Sequence, residues 1–157
     1  MNALKFLIVI VLLYMAQSYY LMSNGHVKDF IEQAEMKSMQ DPVAACEYYS
    51  DDVEVNMNLQ APGGHWEVEG GKDELCGFIR QNQAAAVVMQ SDVNWTFDNV
   101  KINSRFPWQN AKADYEMTGS QTVMGHTIQS HTKNAIEIKR TLTGLKITKV
   151  NVTGGAG

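Results

Sequence analysis

Four histidines, at positions 26, 65, 126 and 131, are the side chains of this 157-residue chain best suited to moving protons near neutral pH. His65, His126 and His131, together with Glu67, Glu69, Asp98 and Asp114, form the set from which an acid–base pair could be drawn. For each histidine the plainer reading, an exposed or hydrogen-bonded residue, is favoured over catalysis, and His126 and His65 are the two kept as catalytic candidates. No serine–histidine–aspartate spacing and no glycine-rich phosphate loop competes with them. Cys46 and Cys76 are the only thiols. Two cysteines allow one intramolecular disulfide in an oxidising compartment, or stand as small apolar residues on helix faces; both readings stay open. No histidine lies at ligand spacing from them, so no metal and no cofactor is expected.

The elements that must position these residues begin after an apolar leader. Lys5 precedes an unbroken apolar run over residues 6–16. Such a run suits a secretory signal, cleaved after Ala16-Gln17-Ser18, better than a spanning helix, which needs about 20 residues. Extended through Tyr19, Tyr20, Leu21 and Met22, the segment reads instead as an uncleaved anchor with an aromatic pair at the interface. Residues 1–22 are therefore a signal peptide or a membrane anchor. Either way the domain is expected outside the cytoplasm, periplasmic or secreted, touching a membrane only through this segment. An apolar share of 45% against a charged share of 19% is that of a globular core. A net charge of −4 with scattered Lys and Arg argues against nucleic acid as a partner.

Val27, Phe30, Ile31, Ala34 and Ser38 share one stripe at helical spacing, predicting a helix over 26–40. Asp41-Pro42 restarts the chain as a capped second helix over 43–49, closed by Ser50-Asp51-Asp52. Alternation predicts strands over 53–59 and 65–69, on either side of a Pro62-Gly63-Gly64 loop. Lys72-Asp73-Glu74 opens a third helix whose buried stripe is Leu75, Phe78, Ile79, Asn82 and Ala86. Four long strands follow, near 93–102, 109–123, 126–141 and 145–153. Val93, Trp95 and Phe97 fall on one face of the first but Val100 and Ile102 on the other, so a bulge belongs near Asp98 and Asn99. The glycine-rich stretch 154–157 reads as a flexible tail.

Three motifs occur in a telling order. Tyr49-Ser50-Asp51-Asp52-Val53-Glu54-Val55 follows the second helix, Gly70-Gly71-Lys72-Asp73-Glu74-Leu75 leads into the third, and Gly144-Leu145-Lys146-Ile147 opens the last strand. Together with the element order they resemble the nuclear transport factor 2-like superfamily, including its SnoaL-like and steroid isomerase-like members, over residues 26–153. The resemblance implies an α+β fold in which three N-terminal helices pack in the concave face of a strongly curved mixed, mainly antiparallel sheet, a cone with an apolar pocket. Laid over the chain, the isomerase pattern puts its helix-one tyrosine on Gln33, its general base on Met57 and its protonated acid near Asn134. A thioether accepts no proton, so isomerase chemistry is not expected. Gln33, Tyr49, Met57, Trp66, Tyr115 and Asn134 are then the candidate ligand-binding residues. The expected function is non-catalytic binding of a small apolar ligand or a protein partner. Alternatives are a dehydratase-type enzyme using a pocket histidine, and an envelope assembly domain. A homodimer through the outer sheet face would follow the habit of relatives.

Overall fold

The computed structural model describes residues 3–61, 64–88, 92–123 and 126–156. Its elements run α1 (Ala3–Leu21), α2 (Asn24–Gln40), α3 (Pro42–Ala45), a 3-10 turn (Cys46–Tyr48), β1 (Tyr49–Ala61), β2 (Gly64–Gly70), α4 (Lys72–Val88), β3 (Asp92–Ser104), β4 (Asn110–Val123), β5 (His126–Thr141) and β6 (Gly144–Ala156). The expected turns at Pro62-Gly63 and Met124-Gly125 lie outside the described residues.

Among the described residues the strands form one mixed sheet in the order β2-β1-β6-β5-β4-β3, open at both ends. Every neighbouring pair is antiparallel except β1 with β6. The inner face carries Val55, Met57, Ala113, Tyr115, Ile136 and Val152, all buried, and α2 sets Val27, Ile31 and Ala34 against it while α4 contributes Leu75 and Ile79. Apolar alternation on one face and polar residues on the other is what a half-buried sheet requires. The expected bulge is present: pairing with β4 shifts between Asp98 and Lys101, and Asn99 takes φ 55°, a conformation asparagine tolerates better than most residues.

Several expectations are corrected. The second helix stops at Ala45 and tightens into the 3-10 turn, because Tyr49 already pairs in parallel with Ile147 and so draws Ser50, Asp51 and Asp52 into β1. Asp41 does cap α3, accepting from the Ala44 N–H at 3.1 Å. Asn82 of α4 is exposed, while Leu75, Cys76 and Ile79 are buried and Phe78 is half-buried; the side chain of Ala86 lies outside the described residues. Residues 154–156 of the expected tail are strand, and Gly157 lies outside the described residues. β6 continues to Ala156, with Gly154 paired to Leu59 on one side and Thr132 on the other. A Cβ on Gly154 would stand 2.2 Å from the His131 carbonyl oxygen, and one on Gly155 2.8 Å from that of Gln60. Glycine is there because the two flanking backbones approach too closely for a side chain.

The leader is a helix whose two halves differ. Residues 6–13 of α1 are exposed all round, whereas Ser18 and Met22 are buried in the domain. Arg140, at the end of β5, holds the junction: its guanidinium donates to the Tyr14 carbonyl oxygen at 3.2 Å, to Gln17 Oε1 at 2.9 Å and to Ser18 Oγ, and lies 4.1 Å from the centre of the Tyr14 ring. Tyr19 packs edge-on against Trp108 in the β3–β4 loop, their ring centres 5.2 Å apart. Among the described residues no single helix is long and apolar enough to cross a membrane. α1 and α2 meet the length and composition of a span only as a pair, bent by 57°.

Candidate functional site

Three of the expected site residues fall in a single row across the inner face. Met57 of β1 is opposite Val152 of β6, Val152 opposite Asn134 of β5, and Asn134 opposite Tyr115 of β4. All four are buried. The next row, Leu59, Gly154, Thr132, Met117 and Phe97, includes half-buried positions and ends on β2 at the 49%-exposed Trp66, and beyond it lies Trp95. Exposure thus rises along one face, which makes the hairpin end of the sheet the mouth of the cup. Trp95 reaches across this end over Gly119, where a Cβ would stand 2.5 Å from its ring.

Gln33 is not in the cup. It is exposed, and the polar residue of α2 that reaches the sheet is Glu35, next to the buried Ala34. Two residues turn a helix by about 200°, so the helix-one position carried over from the isomerase pattern points away from the sheet. Tyr115 Oη donates to Glu35 Oε1 at 2.5 Å, joining α2 to β4 across the cup. Glu35, which the sequence reading did not single out, therefore brings a carboxyl group to the inner face. The signal was in the spacing: Glu35 lies four residues after Ile31 and eight after Val27, on the shoulder of the apolar stripe.

Burial pushes the Glu35 carboxyl above its ordinary value of 4.5, and the Tyr115 hydrogen bond opposes that rise in part. Some of the side chain keeps contact with solvent, while the carboxyl itself is embedded. Burial also raises the phenols of Tyr115 and Tyr49, and the charge of Glu35 raises both further. Both phenols therefore stay protonated and Tyr115 serves as a donor, while Glu35 can accept from one side and hold a proton of its own. Asn134 completes the polar set, its amide donating to Thr132 Oγ1 at 3.1 Å, and the Phe97 ring lies 6.2 Å from that of Tyr115. The arrangement suits one polar group of a molecule whose remaining surface is apolar.

His65 and His131 do not reach this set. His65 is exposed on β2, opposite Gln60. His131 is exposed on β5, with Nδ1 3.4 Å from Thr118 Oγ1. The side chain of His126 lies outside the described residues. No group of three or more metal-ligating side chains occurs among the described residues. Cys46 and Cys76 are bonded to each other, their Cα atoms 5.8 Å apart, which ties the 3-10 turn to α4 over the inner face. On the outer face the same strands border an open groove of about 380 Å³ lined by Asn99, Lys101, Asp114, Glu116, Lys133 and Asn151, among others.

No family model matches the sequence, and no curated protein matches it either. Solved structures do match its fold. An NTF2-like protein with a cystatin-like fold from Novosphingobium aromaticivorans shares 13% identity over 97% of this chain and 89% of its own, with a TM-score of 0.59. The beta subunit of a benzoate 1,2-dioxygenase from Burkholderia mallei shares 11% over 85% and 91%, with a TM-score of 0.64. A hexachlorocyclohexane dehydrochlorinase from Novosphingobium barchaimii shares 11% over 82% and 83%, with a TM-score of 0.58. At such identities the likeness is one of fold, and what those proteins do remains theirs.

Proposed function

We propose, from the premise that the chain has the nuclear transport factor 2-like fold, that it is a membrane-tethered domain working outside the cytoplasm, whose cup binds a small, mainly apolar molecule. The observation that carries this reading is the Glu35–Tyr115 hydrogen bond at 2.5 Å, set in the buried row beneath a face of rising exposure. Burying an acid and a phenol costs stability that their mutual hydrogen bond offsets in part, and the remaining lone pairs and proton are open to a ligand group. Met57, Val152 and Phe97 supply apolar walls, while Glu35, Tyr115 and Asn134 fix one carbonyl or hydroxyl of the ligand. Retention of the leader is supported by Ser18 and Met22, which are buried in the domain and would be lost or loosened by cleavage after Ser18.

Native mass spectrometry of the chain taken from its producing cell tests both parts. We expect an uncleaved, disulfide-bonded protein carrying a small organic molecule, with that molecule reduced in Y115F and M57A. A chain that starts at Tyr19 would refute the tether, and an empty cup under gentle extraction would refute the ligand.

A second reading is favoured by one observation, the raised Glu35 carboxyl beside a phenol, which is the equipment of a general acid or base. It replaces the histidine of the dehydratase alternative with Glu35. Turnover of the co-purified molecule that vanishes in E35Q but survives M57A would select it over simple binding.

A further inference from the structure

The apolar leader has companions at its own end of the domain. Phe106, 69% exposed, stands at the tip of the β3–β4 loop, and the fully exposed Leu142 at the tip of the β5–β6 turn. The two tips are neighbours: the Arg140 N–H donates to the Gln109 carbonyl oxygen at 2.7 Å, and Arg140 itself holds Tyr14 and Ser18 of α1. Phe106, Trp108 and Tyr19 form an edge-to-face series with successive ring centres 5.2 Å apart. The exposed turns of α1 thus leave the domain between apolar and aromatic tips from two separate loops, with Arg105 exposed beside them.

We infer that this end of the cone is a lipid-facing foot, in which Phe106, Leu142 and Trp108 seat in the headgroup region while the exposed half of α1 enters the same leaflet. This rests on the tethering proposed above and adds to it a second contact and a fixed orientation. Three features favour lipid over a protein groove. The α1 side chains are exposed on every side of the helix, from Phe6 at 59% to Leu13 at 66%, whereas a protein partner would need only one face. Trp and Tyr ring the point of emergence, as they do at membrane interfaces. The length also fits. Residues 3–13 rise about 16 Å at 1.5 Å per residue, roughly half of a hydrocarbon core about 30 Å thick. While Arg140 holds Tyr14 to Ser18, the exposed residues 6–13 reach into one leaflet.

The test uses the full chain as W66F/W95F, leaving Trp108 as the sole tryptophan, with vesicles of phosphatidylcholine and phosphatidylglycerol carrying bromine on the upper acyl carbons. We expect the protein to float with the vesicles and Trp108 fluorescence to be quenched. In an F106S/L142S version the quenching should fall, and partitioning should weaken about tenfold. Floating protein with unquenched Trp108, or unchanged partitioning of the double variant, overturns the foot and leaves the tether standing. Protein that does not float at all overturns the tether and the foot with it. Circular dichroism and native mass spectrometry of each variant guard against misfolding, because both serines replace exposed side chains.

Discussion

On the outer face of β4, Glu116 accepts from Asn99 Nδ2 at 2.7 Å and lies 4.0 Å from Lys133, beside an open groove. One residue away, on the inner face, Tyr115 meets Glu35 at 2.5 Å among packed side chains. The two pairings each join a carboxylate to a donor, and their stakes are opposite. In water the ion pair exchanges one set of good partners for another and contributes about 0–1 kcal/mol. Within the cup each group has given up its water, so the partner that remains matters far more. A site is thus distinguished from a surface less by which polar groups it contains than by what would replace a lost partner.

The largest expected effect removes what keeps the inner face covered. C46S/C76S opens a loop closed over 30 residues and should lower stability by about 3.5 kcal/mol, read from urea unfolding. Reduced wild type should match it. Next comes Y115F, which leaves an embedded carboxyl without its donor and should lose about 2 kcal/mol. If that variant is neutral, the inner pair is no different from the outer one.

The pH dependence sharpens the contrast. Glu35 holds its proton more tightly folded than unfolded, so above pH 4.5 the folded state binds more protons than the unfolded state. Stability contributed by the neutral carboxyl is therefore present below that value and lost as pH rises through the higher folded value. Melting temperatures of wild type and E35Q across pH 4 to 8 should converge at the acid end and separate as pH climbs. Because the Tyr115 hydrogen bond lowers the Glu35 pKa, Y115F should steepen the decline. Parallel curves for wild type and E35Q would remove Glu35 from the account. The smallest effect belongs to E116A/K133A on the outer face, expected within about 0.5 kcal/mol of wild type.

Strand periodicity made much of this legible in the residues alone. The 126–141 strand and the bulge at Asp98 and Asn99 follow from alternation and its break, because sheet parity is strict: each side chain is either in or out. Helical phase is less forgiving. Gln33 and Glu35 are two residues apart and lie on opposite sides of α2, so a pattern transferred by counting placed the wrong one in the cup. Gly154 and Gly155 read as tail because glycine is the residue of loose ends, and nothing local reveals two backbones closing in on them. The pairing of Cys46 with Cys76 depends on a 5.8 Å separation across two elements 30 residues apart, which spacing along the chain does not encode.

The strand order has a consequence for how the molecule comes into being. β6 lies between β1 and β5, although it follows all the other strands in sequence. Until it is made, the β1–β2 hairpin and the β3–β5 meander have no shared ladder, and each offers a bare edge to any passing chain. A nascent polypeptide stalled before Gly144 would therefore present two half-sheets and no cup. Assembly waits for Gly144–Ala156, so the domain stays unfinished, and open to chaperones, until β6 has been made.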